Sequence, residues 1–229
     1  MQLNVITLFP QMVIDALSYG VIGRAIKQGV VTLSLFNPRD YAENKHNSVD
    51  DKPFGGGSGM VMMYDSLFRT WQDVRQSGPS GPLLFMSPQG QTLTQKMCND
   101  WSVIPAITLL CGRYEGIDQR VIEGHVDEEV SLGDYVISGG ELAASIVIDA
   151  VARQISGVLG AEDSAKTDSF MSPLLAPPQY TRSELLGQSG VPAVLLSGNH
   201  KAIAEWKSFQ AIEVTKQKRP DLLAGTSGD

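Results

Sequence analysis

The chain has 229 residues, a length that fits one large or two small domains. Hydrophobic residues make up 42% of it and the formal net charge is −7, values that exclude a fully disordered chain. Two cysteines, and three histidines without ligand spacing, exclude a disulfide scaffold and a zinc cluster. The N-terminus lacks signal-peptide features, and no apolar run reaches membrane-spanning length. We therefore expect a soluble, cytoplasmic protein.

Short apolar runs alternate with helical patterns through the first two thirds of the chain. The predicted strands span residues 3–9, 31–36, 83–86, 107–111 and 129–132. The predicted helices span residues 11–26, 65–76, 93–101, 115–124 and 141–156. Strands separated by helices of this length indicate crossover units, so the pattern predicts an α/β fold with a mostly parallel sheet.

The pattern changes after Gly160. Residues 161–172 are small and polar without periodicity, and prolines follow, which is typical of a linker. We predict one domain over 1–160 and a second over 173–229, with helical segments at 183–186, at 200–215 and after Pro220. Residues 1–172 hold 12 basic and 20 acidic side chains, whereas 173–229 hold 6 and 5.

Three glycine-containing turns follow predicted strands. Their sequences are LFMSPQGQ (84–91), LCGRYEGID (110–118) and SLGDYVISGGE (131–141). Ligands of open parallel sheets bind beyond the carboxyl ends of the strands, so three such turns predict one shared pocket. Glu115 fits either a contact with a cationic ligand or a simple interaction with the helix dipole.

Three further features stand out, and two of them have two interpretations each. The run PFGGGSGM (53–60) lets backbone N–H groups approach a crowded ligand, but its spacing alone favours a flexible loop. Arg153 near the end of an apolar helix is either functional or a salt-bridge partner of Asp149. Asp168 stands alone in a polar linker, and that pattern is typical of a solvated turn residue.

Taken together, the motifs resemble the TrmD-type tRNA (guanine-N(1))-methyltransferases of the SPOUT class. The matching segments are ITLFP (6–10), PFGGGSGM, LFMSPQGQ, LCGRYEGID, GDYVISGGE, PPQYTR (177–182), VLLSGNH (194–200) and RPDLL (219–223). Each segment alone is weak evidence for this family. The ordered set covers nearly the whole chain and is highly specific.

The resemblance implies transfer of a methyl group from S-adenosylmethionine to N-1 of guanosine at position 37 of tRNA. It implies a SPOUT α/β domain over 1–160 with a deep C-terminal trefoil knot, which no pattern of residues reveals. It also implies a linker over 161–172 that orders over the substrate and a helical tRNA-binding domain over 173–229. Family members form homodimers with shared active sites and are associated with magnesium, although the sequence contains no dedicated carboxylate cage.

The same resemblance assigns individual residues. Asp168 becomes the general base that removes the N-1 proton, and Arg153 supports the negative charge that develops on guanine O6. The cofactor-binding residues it implies are Met86, Ser87, Pro88, Gln89, Gly112, Tyr114, Glu115, Leu132, Gly133, Asp134, Tyr135, Val136, Ile137, Gly139 and Gly140.

The net charge of −7 is unusual for a protein that binds tRNA, because phosphate contacts dominate affinity. Basic residues nevertheless gather in the C-terminal region, where they form either an RNA-binding surface or an ordinary solvated helix face. They are Lys201, Lys207, Lys216, Lys218 and Arg219.

Three other functions compete. A related SPOUT enzyme acting on another RNA position or on ribose is disfavoured by Arg153 and Asp168, because a ribose hydroxyl has no O6 to stabilise. A non-catalytic RNA-binding relative is disfavoured by the presence of all the pocket glycines and of both these residues. The third is a generic α/β small-molecule binder, which is all that the residue patterns indicate without the family resemblance. We predict the tRNA methyltransferase.

Overall fold

The computed structural model describes residues 1–160 and 165–224, in two compact units, Met1–Gly160 and Ala161–Asp229. The strands are β1 (Gln2–Ile6), β2 (Thr32–Phe36), β3 (Asp50–Asp51), β4 (Val61–Met62), β5 (Leu83–Thr92), β6 (Ala106–Cys111) and β7 (Glu128–Ser131). The helices of the first unit are α1 (Pro10–Leu17), α2 (Gly20–Lys27), α3 (Tyr64–Gln76), α4 (Gln95–Ser102), α5 (Gln119–His125) and α6 (Gly140–Ala152), with a 3-10 turn at Pro38–Tyr41.

Five strands form one parallel sheet in the order β2-β1-β6-β5-β7. Successive residues of β5 face opposite sides of the sheet, because side chains alternate along a strand. Leu84 and Met86 pack with α1, α2, α4 and α6, whereas Leu83 and Phe85 pack with α3 and α5. The sheet is therefore covered by helices on both faces. This confirms the predicted α/β class with a mostly parallel sheet.

Helix boundaries differ from the prediction where local signals end or begin a helix. The predicted helix over 11–26 is two helices, because the chain turns at Gly20 with a φ of 67°. The helix predicted from residue 93 begins at Gln95, since the Thr94 hydroxyl accepts a hydrogen bond from Met97 N. The helix predicted from residue 115 begins at Gln119 for the same reason, with Asp118 as its cap.

Two strand features were not predicted. The two-residue strands β3 and β4 pair in antiparallel orientation and enclose the glycine-rich loop 53–60. The turn predicted after residue 86 is instead a bulge inside β5, because Met86 and Gln91 both pair with Val130 and the strand then resumes. Residues 87–90 are left outside the regular ladder. These four residues still lie at the carboxyl end of the sheet, where the turn was predicted.

In the second unit the described elements are a 3-10 turn at Ala165–Thr167 and the helices α7 (Ala193–Leu196), α8 (His200–Lys218) and α9 (Asp221–Ala224). Thr215 is fully buried, and its hydroxyl accepts a hydrogen bond of 2.8 Å from Leu175 N, which ties the chain before α7 to α8. Tyr180 packs on Trp206 with ring centroids 6.3 Å apart.

Some predictions for this unit are wrong or fall outside the described residues. Residues 183–186 form a turn rather than a helix: Gly187, with a φ of 56°, closes it by donating to Ser183 O. Leu185 is 97% exposed, so no apolar contact extends the turn into a helix. Residues 161–164 of the predicted linker and 225–229 of the tail lie outside the described residues.

No helix over 1–160 or 165–224 combines the length and the apolar character that a membrane-spanning segment requires.

Candidate active site

A pocket opens in the first unit where the three predicted turns meet, with a cavity volume of about 270 Å³. Its walls come from the end of β5, the turn after β6, and the segment between β7 and α6. These are the carboxyl ends of neighbouring parallel strands, the usual place for a ligand in this fold class. The lining is mainly apolar side chains and glycine backbone, which suits a flat ligand held by backbone groups.

Most of the predicted cofactor-binding residues line this pocket. They are Met86, Ser87, Pro88, Gly112, Tyr114, Glu115, Leu132, Gly133, Tyr135, Val136, Ile137, Gly139 and Gly140. Gln89 and Asp134 lie on the same segments, exposed, outside the lining. Further lining residues were not predicted: Phe85, Arg113, Gly116, Val130, Ser131, Ser138 and Ala143. The geometry gathers these residues, and their role in binding a cofactor stays a prediction.

The glycine-rich loop 53–60 is anchored to the pocket at its C-terminal end. Glu115 N donates to Met60 O and Met62 N donates to Gly116 O, each at 2.9 Å. A Cβ at Gly59 would lie 2.6 Å from Glu115 Oε1, so glycine lets the loop pass close to that carboxylate. Phe54 at the far end of the loop is fully exposed. The loop is therefore attached at its C-terminal end to the turn that carries Glu115, and its interpretation as a flexible loop stays a prediction.

Tyr114 lies in the left-handed region with a φ of 60°, which is unfavourable for an aromatic residue. Burial first, and then the Asp50 carboxylate, raise the pKa of the Tyr114 hydroxyl, while Arg39 lowers it. The hydroxyl therefore stays protonated at neutral pH and remains a hydrogen-bond donor at the pocket wall.

A largely buried ion pair at the pocket was not predicted: it joins Arg113, which lines the pocket, to Glu141. Arg113 Nη2 lies 2.8 Å from Glu141 Oε2, and the two side chains are 16% and 1% exposed. The signal in the sequence was a charged residue, Glu141, at the start of the mostly apolar α6. Residues 113 and 141 both lie in motifs that were identified, but nothing in the pattern pairs them.

The Cys111 thiol is fully buried directly before the pocket turn. Burial and the nearby Glu141 carboxylate raise its pKa well above the usual range, and Arg113 opposes this only in part. Because a thiolate is the reactive form of cysteine, Cys111 is unsuited to act as a nucleophile.

Gly140 begins α6 in close contact with the backbone of β6. Its N–H donates to Gly112 O at 3.0 Å, and an added Cβ would lie 2.7 Å from Cys111 Cα. We expect Gly140→Ala to lower the free energy of unfolding by about 1–3 kcal/mol, because backbone must move to admit the methyl group. Urea denaturation measures this.

Gly124→Ala is the matched control. Gly124 lies within α5, and a Cβ there would have no heavy atom within 4 Å. Alanine in a helix should leave stability unchanged or raise it by up to about 1 kcal/mol. Equal stabilities of the two variants would contradict the close approach at Gly140.

The two predicted catalytic residues lie in different units. Arg153 directly follows α6, half-buried, and its N–H donates to Asp149 O at 3.1 Å. Asp168 follows the 3-10 turn Ala165–Thr167 and is exposed. Their joint action on one substrate stays a prediction.

The doubly covered parallel sheet and the pocket at its strand ends define an α/β protein with a candidate ligand site at the carboxyl ends of its strands. Comparison with known proteins makes this specific. The family model described as tRNA (Guanine-1)-methyltransferase TrmD matches residues 1–225. The chain belongs to this family.

Curated relatives agree. A protein of Halorhodospira halophila is 50% identical over 229 residues, covering 100% of this chain and 87% of the relative. One of Pseudomonas aeruginosa is 49% identical, covering 98% and 90%. One of Coxiella burnetii is 51% identical, covering 96% and 90%. Each is named tRNA (guanine-N(1)-)-methyltransferase.

Proposed function

We infer that this protein methylates N-1 of guanosine in tRNA with S-adenosylmethionine as methyl donor. The single observation that carries this function is the match to the family along nearly the whole chain, with relatives near 50% identity. The particular guanosine that we propose is the one at position 37, beside the anticodon. A tRNA substrate also fits the cytoplasmic location expected from the sequence.

The pocket fits the methyl donor. Leu132, Val136 and Ile137 offer apolar contacts for a purine, and Gly112, Gly139 and Gly140 leave backbone groups open to it. The Glu115 carboxylate lies on the same wall and suits a cationic group. S-adenosylmethionine, when bound, supplies an electrophilic methyl group on a sulfonium. The residues of the pocket hold it and exclude water from one side.

Asp168 and Arg153 supply the chemistry on the guanine side. N-1 of neutral guanine carries a proton, so its lone pair becomes available to a methyl group only when a base removes that proton. Asp168 accepts the proton on a carboxylate oxygen. Arg153 donates hydrogen bonds from its guanidinium fork to O6, where negative charge develops. An isolated carboxylate is a weak base, so Arg153 must supply much of the stabilisation.

Exposed basic residues in the second unit support the tRNA substrate. Lys201, Lys207, Lys216, Lys218 and Arg219 all lie on or beside α8 with exposed side chains. Lys216 pairs with Glu213 and Arg219 with Asp221, both exposed pairs that phosphate oxygens can exchange with. We propose that these cations contact the tRNA backbone, which overcomes the unfavourable net charge.

The proposed homodimer is supported by an apolar patch on the first unit. Helices α1 and α6 pack on each other and leave Met12, Ile14, Leu142 and Ile146 between 37% and 50% exposed. Helix α6 is therefore only partly buried within one chain. Adjacent exposed apolar side chains on two packed helices mark an interaction surface, and a second copy of the chain would cover it.

The return path of the chain after β7 supports the proposed trefoil knot. Strand β7 is the edge neighbour of β5, yet the chain then leads back to the centre of the sheet, where α6 packs on β6 and against α1 and α4. A helix that returns between earlier elements in this way is one component of a knotted topology, which further requires the chain to thread through a loop.

Magnesium remains a proposal with no assigned ligands. Over residues 1–160 and 165–224, no cluster of three or more His, Cys, Asp or Glu side chains could hold a metal ion. A hydrated ion bound partly through the substrate would need few protein ligands. No step of the reaction is assigned to it.

The deciding experiment supplies labelled S-adenosylmethionine and two tRNA transcripts that differ only at position 37, guanosine or adenosine. Methyl transfer to the guanosine transcript alone is expected, and the product base should be 1-methylguanine. Transfer to both transcripts would show that the methylated base lies elsewhere in the tRNA. Cofactor binding with transfer to neither, in the presence of magnesium, would favour a non-catalytic RNA-binding protein.

A further inference from the structure

Arg113 and Glu141 are charged, largely buried and unused by the reaction described above. A buried ion pair is weak support for stability, because the loss of hydration of both charges offsets much of their attraction. Apolar side chains of similar size would fill the same space at least as well. The contacts of the pair therefore need another explanation.

Glu141 fixes the start of α6 to β1 and to the pocket turn. Its Oε1 accepts a hydrogen bond of 2.8 Å from the hydroxyl of Thr7, which is fully buried just after β1. Its Oε2 faces the Arg113 guanidinium. Thr7 in turn accepts from Phe9 N at 2.9 Å, so the carboxylate is held from the carboxyl end of an inner strand.

Arg113 contacts the segment of the pocket wall that precedes α6. Its Nη1 donates to Ser138 O at 3.2 Å, and its guanidinium lies 4.4 Å from the centre of the Phe9 ring. Its Nε lies so close to Gly139 that a Cβ there would come within 2.3 Å. The guanidinium thus holds the C-terminal end of the segment 133–139, the wall that carries Tyr135, Val136 and Ile137.

We propose that the Arg113–Glu141 pair is a positioning device that holds the segment 133–139 in the conformation that binds S-adenosylmethionine. The inference rests on the proposed function, because the ligand of the pocket is taken from it. The carboxylate orients the guanidinium, and the guanidinium holds the Ser138 carbonyl. An apolar pair could pack there but could not donate a hydrogen bond to Ser138 O.

The test uses the double variant R113M/E141Q. Methionine fills the volume of the arginine stem, and glutamine keeps an oxygen acceptor for Thr7, so no unpaired charge remains buried. We expect a melting temperature near that of the native protein. We also expect a Kd for S-adenosylmethionine about tenfold weaker by calorimetry, the loss of roughly one hydrogen bond to a charged donor. At saturating S-adenosylmethionine, kcat should be retained.

R113K is the second variant and decides the question if the double variant fails to fold. A lysine ammonium keeps the charge opposite Glu141 but cannot reach the carboxylate and Ser138 O together in the same fork geometry. We expect it to fold and to bind S-adenosylmethionine more weakly than native protein. K96M/D100Q, which removes an exposed ion pair of 2.6 Å on α4, is the matched control and should change neither value.

A folded double variant, or R113K, with native affinity would overturn the positioning role. The same holds if kcat falls while the KM for S-adenosylmethionine stays constant. Native protein that binds S-adenosylmethionine but methylates no tRNA would overturn the proposed reaction and leave this inference standing. Native protein that does not bind S-adenosylmethionine would overturn both.

Discussion

Asp168→Ala is expected to lower kcat for methyl transfer about 10²- to 10⁴-fold, close to the background rate, while the Kd for S-adenosylmethionine stays unchanged. The reason is that Asp168 is proposed to act on the N-1 proton, whereas the residues that line the pocket assigned to the cofactor all belong to the first unit. Single-turnover transfer to tRNA and calorimetry with S-adenosylmethionine measure the two quantities separately.

Asp168→Asn distinguishes the loss of the proton acceptor from a change in side-chain size. The amide has nearly the size of the carboxylate but cannot accept the proton, so it should be as inactive as alanine. Asp168→Glu keeps the base at a shifted position and should recover part of the rate. Turnover near the native value in the Asn variant would remove Asp168 from the mechanism.

Arg153→Ala should lower kcat about 10²- to 10³-fold, the usual cost of losing one hydrogen-bond donor to a developing oxyanion. Affinity for S-adenosylmethionine should again persist. Arg153→Lys keeps the charge without the planar fork and should recover only part of the rate. A rate measured at saturating tRNA distinguishes this loss from weaker substrate binding.

Arg75→Ala is the matched control for Arg153. Arg75 is an exposed basic residue in the last turn of α3, as Arg153 follows the last turn of α6. Its replacement should leave turnover and cofactor affinity unchanged. Native kcat in Arg153→Ala would show that O6 is stabilised by another group.

The position of the pocket could be predicted from the sequence because two simple regularities combine. Short apolar runs mark the parallel strands, and glycines mark the turns that end them. Since the carboxyl ends of parallel strands share one edge of the sheet, turns distant in sequence meet there. Residues such as Met86, Gly112 and Ile137, which line one pocket in the structure, can therefore be assigned to it without any knowledge of side-chain contacts.

The Arg113–Glu141 pair could not be predicted, because it forms only when the chain returns from β7 to β6. That return is a tertiary event without local periodicity. The strands β3 and β4 are two residues each, too short for an alternating pattern. By contrast, the caps Thr94 and Asp118 were visible in the sequence and would have placed both helix starts correctly.

The burial of both cysteines makes the native chain well suited to site-specific labelling. Cys98 and Cys111 are 2% and 0% exposed, and burial raises the pKa of each thiol. Few thiolates are therefore available to maleimide or iodoacetamide at neutral pH. A cysteine introduced at an exposed site such as Phe54 would react alone, so a single fluorophore could report the motion of the glycine-rich loop in otherwise unaltered protein.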